Sequence, residues 1–190
     1  QLEDAAIVPY AKLLLATGAS PRRIPGAPEG PRCVTLRTFD DALAIRRHLV
    51  AGVRVAIVGG GFIGLELAAS ARGRGCPVTL VEAQPRILMR GVPAEIAAVI
   101  HAEHERQGVR LICGNTLASI SDDGESVTLD LADGERIEAD LCIIGIGAVP
   151  NVDLARAAGL TIDNGIAVDV YLHTSDPDIF ALGECVEVEG

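Results

Sequence analysis

The feature that most constrains the fold is a glycine-rich turn between an aliphatic run and a helical pattern. The run at 53–58 ends in three consecutive glycines at 59–61, and Gly64 follows closely. From 63 to 71 the apolar residues recur at helical spacing. A strand, a glycine turn and a helix in this order predict one unit of a parallel α/β sheet.

The spacing Gly59-x-Gly61-x-x-Gly64 gives each glycine a physical task. Gly59 makes a tight turn, Gly61 lets a pyrophosphate approach the backbone, and Gly64 brings the helix against the strand. Ala68, one helical turn later, permits the same close packing. The helix N-terminus then offers unpaired N–H groups to phosphate oxygens. This pattern predicts a dinucleotide site; the alternative is a strand, turn and helix with a structural role only.

Glu82 indicates which dinucleotide binds, because it ends the strand that follows the predicted helix. A carboxylate at this place accepts hydrogen bonds from the adenosine ribose hydroxyls and repels a 2′-phosphate. NADH is therefore favoured over NADPH. Arg86 and Arg90 follow closely in the sequence, and they have two interpretations, a grip on a phosphate or a solvated basic patch beside a loop.

The rest of the chain alternates strands and helices up to residue 150 and loses that order afterwards. Three alternating stretches within 116–139 are separated by Asp-Gly turns, which predicts an antiparallel meander. We therefore expect an α/β fold, a Rossmann-like parallel sheet flanked by helices, with a three-stranded antiparallel meander inserted before the last parallel strand. The predicted strands are 12–16, 53–58, 78–81, 109–112, 141–146, 166–168 and 179–182, and the predicted helices are 38–51, 63–75, 93–107 and 154–158.

Composition restricts both the core and the partners. Hydrophobic residues make up 49% of the chain and aromatic residues 3%, so Ala, Val, Ile and Leu must build the core. A formal net charge of −10 argues against nucleic acid or an anionic membrane as a partner. The 5 cysteines are scattered without a C-x-x-C pair, and residues 1–15 lack a secretory signal pattern. These features predict free thiols in a cytoplasmic protein.

Five segments together resemble a known family. They are KLLLATG at 12–18, VGGGFIGLE at 58–66, VEAQPR at 81–86, GIGAVPN at 145–151 and TSDPDIFALGE at 174–184. The sequence is similar to FAD-dependent pyridine nucleotide-disulfide oxidoreductases, specifically to NADH:ferredoxin or rubredoxin reductases that serve oxygenase systems. The resemblance implies that NADH passes a hydride to FAD, which passes single electrons to a ferredoxin- or rubredoxin-type carrier. The cofactors carry that redox chemistry, and the chain positions them.

The resemblance also implies roles for particular residues. Glu66 and Ile63 match positions beside the nicotinamide. Because Glu66 would repel a pyrophosphate at the same helix terminus, we expect its side chain to point aside, toward the nicotinamide. The alternative is an acid that serves only the helix. The other residues implied for NAD are Phe62, Arg90, Gly145, Ile146 and Gly147, and those implied for FAD are Thr17, Gly18, Gly183 and Glu184.

Glu184 departs from the family pattern, which has Asp at this position. One extra methylene moves the carboxylate by about 1.5 Å, which puts its contact with the flavin ribityl chain in doubt.

The resemblance further implies a division of the chain. We expect residues 1–30 to be a stub of the FAD-binding domain, residues 31–150 the NADH-binding domain, and residues 151–190 a return into the FAD-binding domain. The family's first FAD motif and its C-terminal interface domain have no counterpart in this sequence. We therefore expect that this piece alone neither holds FAD tightly nor catalyses electron transfer.

Two other classes of function stay open. One is a relative with a different acceptor: an NADH oxidase or peroxidase, a disulfide reductase, or a nitrite reductase large subunit. A redox cysteine at the flavin would separate these from a ferredoxin reductase. The other class is a non-catalytic nucleotide-binding or assembly module; a pure scaffold would show no saturable NADH binding.

Two further sets of residues carry weaker signals. Ferredoxin-type carriers are usually acidic, so docking on a chain of net charge −10 needs a local basic patch or other parts of the protein. His101 and His104 lie on a predicted helix among charged residues. We interpret that stretch as a solvated face and expect no metal site. The local basic patch that would dock an acidic carrier consists of Arg22, Arg23, Arg32 and Arg37.

Overall fold

The computed structural model describes residues 7–188 and divides the chain into two compact units. The large unit is Pro21–Gly147, and the small unit combines the described residues of Gln1–Ser20 and Ala148–Gly190. The connector that we assigned to the first segment, up to residue 30, belongs by its contacts to the large unit. Ile24 and Ala27 of the connector pack against the core of that unit.

The described elements follow one another in an order close to the predicted one. The helices are α1 (Phe39–His48), α2 (Phe62–Gly73), α3 (Ala94–Arg106) and α4 (Asp153–Ala157). The strands are β1 (Leu13–Leu15), β2 (Ala19–Pro21), β3 (Cys33–Thr35), β4 (Val55–Val58), β5 (Val78–Glu82), β6 (Val109–Cys113), β7 (Leu117–Asp122), β8 (Val127–Leu131), β9 (Arg136–Ala139), β10 (Leu141–Ile144), β11 (Ala148–Pro150), β12 (Ile166–Val168), β13 (Ile179–Ala181) and β14 (Val186–Val188).

A five-stranded parallel sheet forms the centre of the large unit, with the strand order β3-β10-β4-β5-β6. The predicted meander forms the separate antiparallel sheet β7-β8-β9, which precedes β10 along the chain. This architecture confirms the predicted fold class. Sequence patterning missed β3, because three residues after a Pro- and Gly-rich connector are too few to show a period.

The central strands are buried on both faces, and alternate side chains meet different layers. Val55 and Ile57 of β4 pack in the core that includes side chains of α1, α2 and α3. Ala56 and Val58 pack instead in the core that the meander contributes to. The large unit therefore has three layers, namely helices, parallel sheet and meander.

Cysteines distant in the sequence become neighbours in this sheet. Cys33 of β3 and Cys142 of β10 are register partners, and both are buried. A hydrogen bond between the two thiols lowers the pKa of Cys33, and the same bond together with burial raises the pKa of Cys142. All five cysteines are free, as the sequence predicted.

The small unit has its own core and two pairs of parallel strands. β1 pairs with β13, and β12 pairs with β14. Ile166, Ile179 and Ala181 lie at the centre of its apolar cluster. Within residues 7–188, every helix is too short or too polar to cross a lipid bilayer.

An ion pair joins the beginnings of two adjacent sheet strands in the large unit. Asp140 accepts hydrogen bonds from the backbone N–H of Arg54 at 2.8 Å and from its guanidinium Nη2 at 2.7 Å. The hydrogen bond with the Arg54 side chain lowers the pKa of Asp140. A depressed folded-state pKa stabilises the fold above the unfolded pKa of about 3.9, and this contribution is lost as the pH falls through the folded value.

We predict that Asp140→Asn lowers the free energy of unfolding by about 1 kcal/mol at pH 7, because the pair is partly exposed and screened. The loss should shrink toward zero as the pH falls from about 5 to 2, since the wild-type carboxylate is then protonated. Urea denaturation across this pH range measures both effects. Glu125→Gln, at an exposed turn of the same unit, is the control and should show neither. A loss that does not depend on pH would contradict the ion-pair account.

Candidate functional site

Three of the predicted site residues meet at one edge of the parallel sheet. Gly145, Gly59 and Glu82 stand at the carboxyl ends of β10, β4 and β5, which are neighbours in the sheet. The turns are tied to adjacent strands, because the N–H of Gly145 donates to the carbonyl of Val58 at 2.7 Å and the N–H of Gly59 donates to Val81 at 2.8 Å. Ligands of open α/β sheets bind at this edge.

The first and last glycines of the motif are required by close backbone contacts. Gly59 has φ +112°, and a Cβ placed there would lie 2.3 Å from the carbonyl oxygen of Gly145. A Cβ on Gly64 would lie 2.0 Å from the carbonyl oxygen of Gly59. Three backbone segments therefore pack together where no side chain fits. The structure gives Gly59 and Gly64 the turn and packing geometry that their spacing predicts.

Gly61, the middle glycine of the motif, faces open space, whereas Gly59 and Gly64 are closely packed. A Cβ built on Gly61 would have no heavy atom within 4 Å. Gly61 is the N-cap of α2, and no side chain caps this helix, whereas Thr38 and Asp41 form a capping box on α1. The first N–H groups of α2 therefore keep their hydrogen-bonding capacity beside an open space. This arrangement fits a pyrophosphate, because an uncapped helix N-terminus favours an anion.

Glu82 points at the glycine turn. Its Oε2 accepts a hydrogen bond from the N–H of Gly60 at 2.5 Å, and its Oε1 accepts one from the N–H of Gln84 at 2.7 Å. The carboxylate therefore lies against Gly60, the neighbour of Gly61, with lone pairs left for ribose hydroxyls. Sequence reasoning gave no role to Gly60, which the structure makes the link between the turn and the acid.

Arg86 has a different environment from either interpretation made from the sequence. Its Nη1 donates to the carbonyls of Ile87 and Leu88, both at 3.1 Å, and its Nη2 donates to the carbonyl of Val92 at 3.0 Å. The guanidinium thus holds the backbone of its own loop. Arg90, by contrast, is exposed at the surface.

Several residues that the resemblance implies for NAD, among them Ile63 and Glu66 beside the nicotinamide, lie at the surface of the large unit. Phe62 is 62% exposed and Ile63 is 50% exposed. Glu66 is exposed, and within residues 7–188 its carboxylate makes no hydrogen bond or ion pair. Ile146 and Gly147 follow Gly145, and Gly147 has φ +103°. These side chains are available to a ligand at the same sheet edge.

The residues implied for FAD lie together in the small unit. Thr17 and Gly18 follow β1, while Gly183 and Glu184 follow β13, and these two strands are parallel neighbours. The Thr17 hydroxyl donates to the carbonyl of Asn151 at 2.6 Å, and the Asn151 amide donates back to the carbonyl of Thr17 at 2.9 Å. Asn151 therefore holds Thr17, in the first segment implied for FAD, in place.

The histidines and the basic patch are engaged in structural contacts. His104 lies 3.1 Å from the carbonyl of Leu65 through Nε2, so it joins α3 to α2 and is not part of a solvated face. The described residues contain no cluster of three or more metal-ligating side chains. Arg23 pairs with Glu29, and Arg32 lies 3.8 Å from Asp122. These acids offset part of the positive charge of the patch.

Comparison with known proteins identifies the family of the chain. The model of the pyridine nucleotide-disulphide oxidoreductase family matches residues 1–190. The chain belongs to this family. The ferredoxin–NAD(+) reductase component of an anthranilate 1,2-dioxygenase system from Burkholderia cepacia is 44% identical over 188 residues, covering 97% of this chain and 46% of that protein. This family member thus spans just under half the length of that curated relative.

Solved structures of the family have the same fold. Putidaredoxin reductase, in its covalent complex with putidaredoxin, matches with a TM-score of 0.93 and 38% identity over 99% of this chain and 47% of that one. A water-forming NADH oxidase from Lactobacillus brevis, bound to NADH, matches with a TM-score of 0.85 and 31% identity over 93% of this chain and 40% of that one. The fold is therefore shared by family members with different electron acceptors.

The contact between Gly64 and Gly59 predicts a large difference between two glycines of the same helix. Gly64→Ala should lower the free energy of unfolding by about 1–3 kcal/mol, because its Cβ has no room against the Gly59 carbonyl. Gly73→Ala is the control; its Cβ would meet nothing within 4 Å, and it should stabilise α2 by about 0.4–1 kcal/mol. Thermal and urea denaturation measure both. Equal stabilities of the two variants would disprove the packing role of Gly64.

Proposed function

We propose that this chain forms the NADH-binding part of an FAD-dependent reductase that passes electrons from NADH to a ferredoxin- or rubredoxin-type carrier. The observation that carries the proposal is the glycine turn, where Gly61 faces open space at the uncapped N-terminus of α2 and the adjacent Gly60 donates to the carboxylate of Glu82. A pyrophosphate fits the first feature and an adenosine ribose fits the second.

The residues divide the work of holding NADH. Gly61 and the first turn of α2 bind the pyrophosphate, and Glu82 binds the ribose and disfavours a 2′-phosphate. Arg90 adds a positive charge at the rim of this site. The nicotinamide end extends toward the exposed residues Phe62, Ile63, Glu66, Gly145, Ile146 and Gly147.

FAD is the second cofactor of the proposal. The paired strand ends with Thr17, Gly18, Gly183 and Glu184 hold part of it. When bound, the two cofactors supply the hydride and electron chemistry, and the chain binds and orients them. Glu184 is exposed and carries one methylene more than the family's Asp, so we place its carboxylate at the edge of the flavin contact. The free cysteines support a reducing, cytoplasmic compartment.

The carrier is proposed from the relatives, since both the ferredoxin–NAD(+) reductase component and putidaredoxin reductase are named for such partners. Because Glu29 and Asp122 offset charge in the basic patch, we place carrier docking on another surface of the whole protein. The likeness to an NADH oxidase supports a second candidate, in which the same NADH site serves a different acceptor. Steady-state NADH oxidation by the whole protein, with a ferredoxin or with oxygen as acceptor, separates the two.

Gly61→Ala tests the pyrophosphate site. The added methyl enters the open space without touching the protein. The lower unfolded-state entropy of alanine offsets the preference of an N-cap for glycine, so the melting temperature should change little. The Kd for NADH should rise about tenfold, corresponding to about 1.4 kcal/mol of lost contact with the phosphates. Titration of the 190-residue chain with NADH, followed by the fluorescence of the ligand, measures this affinity.

Gly30→Ala, which also adds a methyl where no atom lies within 4 Å, is the matched control and should leave the NADH affinity unchanged. The proposal fails if wild-type chain shows no saturable NADH binding, as expected of a module that binds no nucleotide.

Glu82→Gln tests the discrimination between NADH and NADPH. Removing the charge while keeping the shape should weaken NADH and relieve repulsion of the 2′-phosphate, so the ratio of the two Kd values should move toward one. Isothermal titration calorimetry with both nucleotides measures the ratio. Glu95→Gln, at an exposed site on α3, is the control. An unchanged ratio in Glu82→Gln would remove this residue from the site.

A further inference from the structure

The loop at 83–93, which connects β5 to α3 and is here called the β5–α3 loop, packs directly on the glycine turn. The N–H of Leu88 donates to the carbonyl of Gly60 at 2.9 Å. A Cβ on Gly60 would lie 3.0 Å from Cγ2 of Ile87, whose side chain is fully buried. Gly60 is therefore fixed at both ends of its backbone, by Glu82 at the N–H and by Leu88 at the carbonyl.

The bond from Leu88 also fixes the direction of the next peptide N–H. In a trans peptide the carbonyl of one residue and the N–H of the following residue point in opposite directions. The described chain contains no cis peptide bond. Because the Gly60 carbonyl points at Leu88, the N–H of Gly61 points away from the β5–α3 loop. The loop thus sets the orientation of a backbone donor in the proposed pyrophosphate site.

The conformation of Leu88 requires support from its surroundings. Its φ is +51°, a left-handed value that is strained for a bulky side chain without a turn-forming polar group. Such conformations persist only where neighbouring contacts determine them. Leu88 is buried, with 4% exposure, and its carbonyl accepts a hydrogen bond from Arg86.

Arg86 supplies that support across most of the loop. Its planar guanidinium donates to the carbonyls of Ile87, Leu88 and Val92, so one side chain ties the middle of the loop to its end. A guanidinium holds several carbonyls in a fixed geometry, whereas the flexible ammonium of lysine does so less well. The contacts therefore run from Arg86 to Leu88, from Leu88 to Gly60, and from Gly60 to the Gly61 N–H.

We propose that Arg86 is a positioning residue for dinucleotide binding, acting through the backbone of Leu88 on the orientation of the Gly61 N–H. It is not itself a phosphate ligand. The inference rests on the proposed function, because it assigns the source of order at the same site. The positioning effect concerns the adenosine and pyrophosphate half of NADH. ADP-ribose, which contains this half, should therefore lose as much affinity as NADH does when Arg86 is replaced.

The chain offers a matched control for the loss of an arginine that binds backbone carbonyls. Arg72 donates to the carbonyls of Gln107 and Cys76, both at 2.9 Å, and lies in the last turn of α2, while Gly61 caps the other end of that helix. Arg72→Gln also removes a guanidinium that binds backbone carbonyls of the large unit, but at about 17 Å from the glycine turn. A general loss of stability should therefore be similar in the two variants.

The first measurement is the affinity of the 190-residue chain for NADH and for ADP-ribose, at a temperature where every variant is folded. Arg86→Gln should raise both Kd values about tenfold, and Arg72→Gln should leave them within about twofold of wild type. Arg86→Lys should fall between Arg86→Gln and wild type. Equal affinities in Arg86→Gln and wild type would overturn the proposal, as would equal losses in Arg86→Gln and Arg72→Gln.

The second measurement needs no nucleotide and so separates the two proposals. Amide hydrogen exchange of the Leu88 N–H should be at least about tenfold faster in Arg86→Gln than in wild type, and unchanged in Arg72→Gln. Unchanged exchange at Leu88 would overturn the role of Arg86. If the wild-type chain bound neither ligand while Leu88 exchanged faster in Arg86→Gln, the proposed function and the positioning role in binding would both fail, leaving a loop contact alone.

Discussion

The site depends on one steric constraint, the packing of three backbone segments with no side chain between them. Gly59 lies between the carbonyl of Gly145 and the helix at Gly64, at separations that exclude a Cβ on either motif glycine. This contact brings the N-terminus of α2 to the carboxyl edge of the sheet. Because the helix begins there without a side-chain cap, the same packing that closes the core leaves backbone donors at an open surface.

The local parts of this arrangement could be predicted from the sequence, because each rests on residues close together in the chain. The aliphatic strand before Gly59, the helix after Gly61 and the acid at Glu82 each have a sequence pattern of their own. The alternating stretches and Asp-Gly turns likewise predicted the meander. The sequence pattern could not show which layer covers each face of the parallel sheet, because helices or a second sheet could supply the same burial.

The remaining contacts join residues that are far apart or belong to types without a signature. Cys33 and Cys142 are partners on adjacent strands, and His104 contacts the carbonyl of Leu65. Neither contact can be predicted from a local sequence pattern. Arg86 was recognised as a charge near the site, but its partners are backbone carbonyls, which every residue has. Sequence identifies a donor, whereas only the folded loop determines what it donates to.

The carboxylate of Glu82 has two roles in the proposed site, one through its hydrogen bonds and one through its charge. Its hydrogen bonds to the N–H groups of Gly60 and Gln84 fix its orientation. In the proposed NADH site, its charge would repel a 2′-phosphate on the adenosine ribose. A side chain fixed in this way has little freedom to turn away from an unfavourable ligand. In the proposed site, the hydrogen bond that orders the glycine turn would therefore also hold the charge that discriminates between nucleotides, which would link the stability of the turn to the choice of ligand.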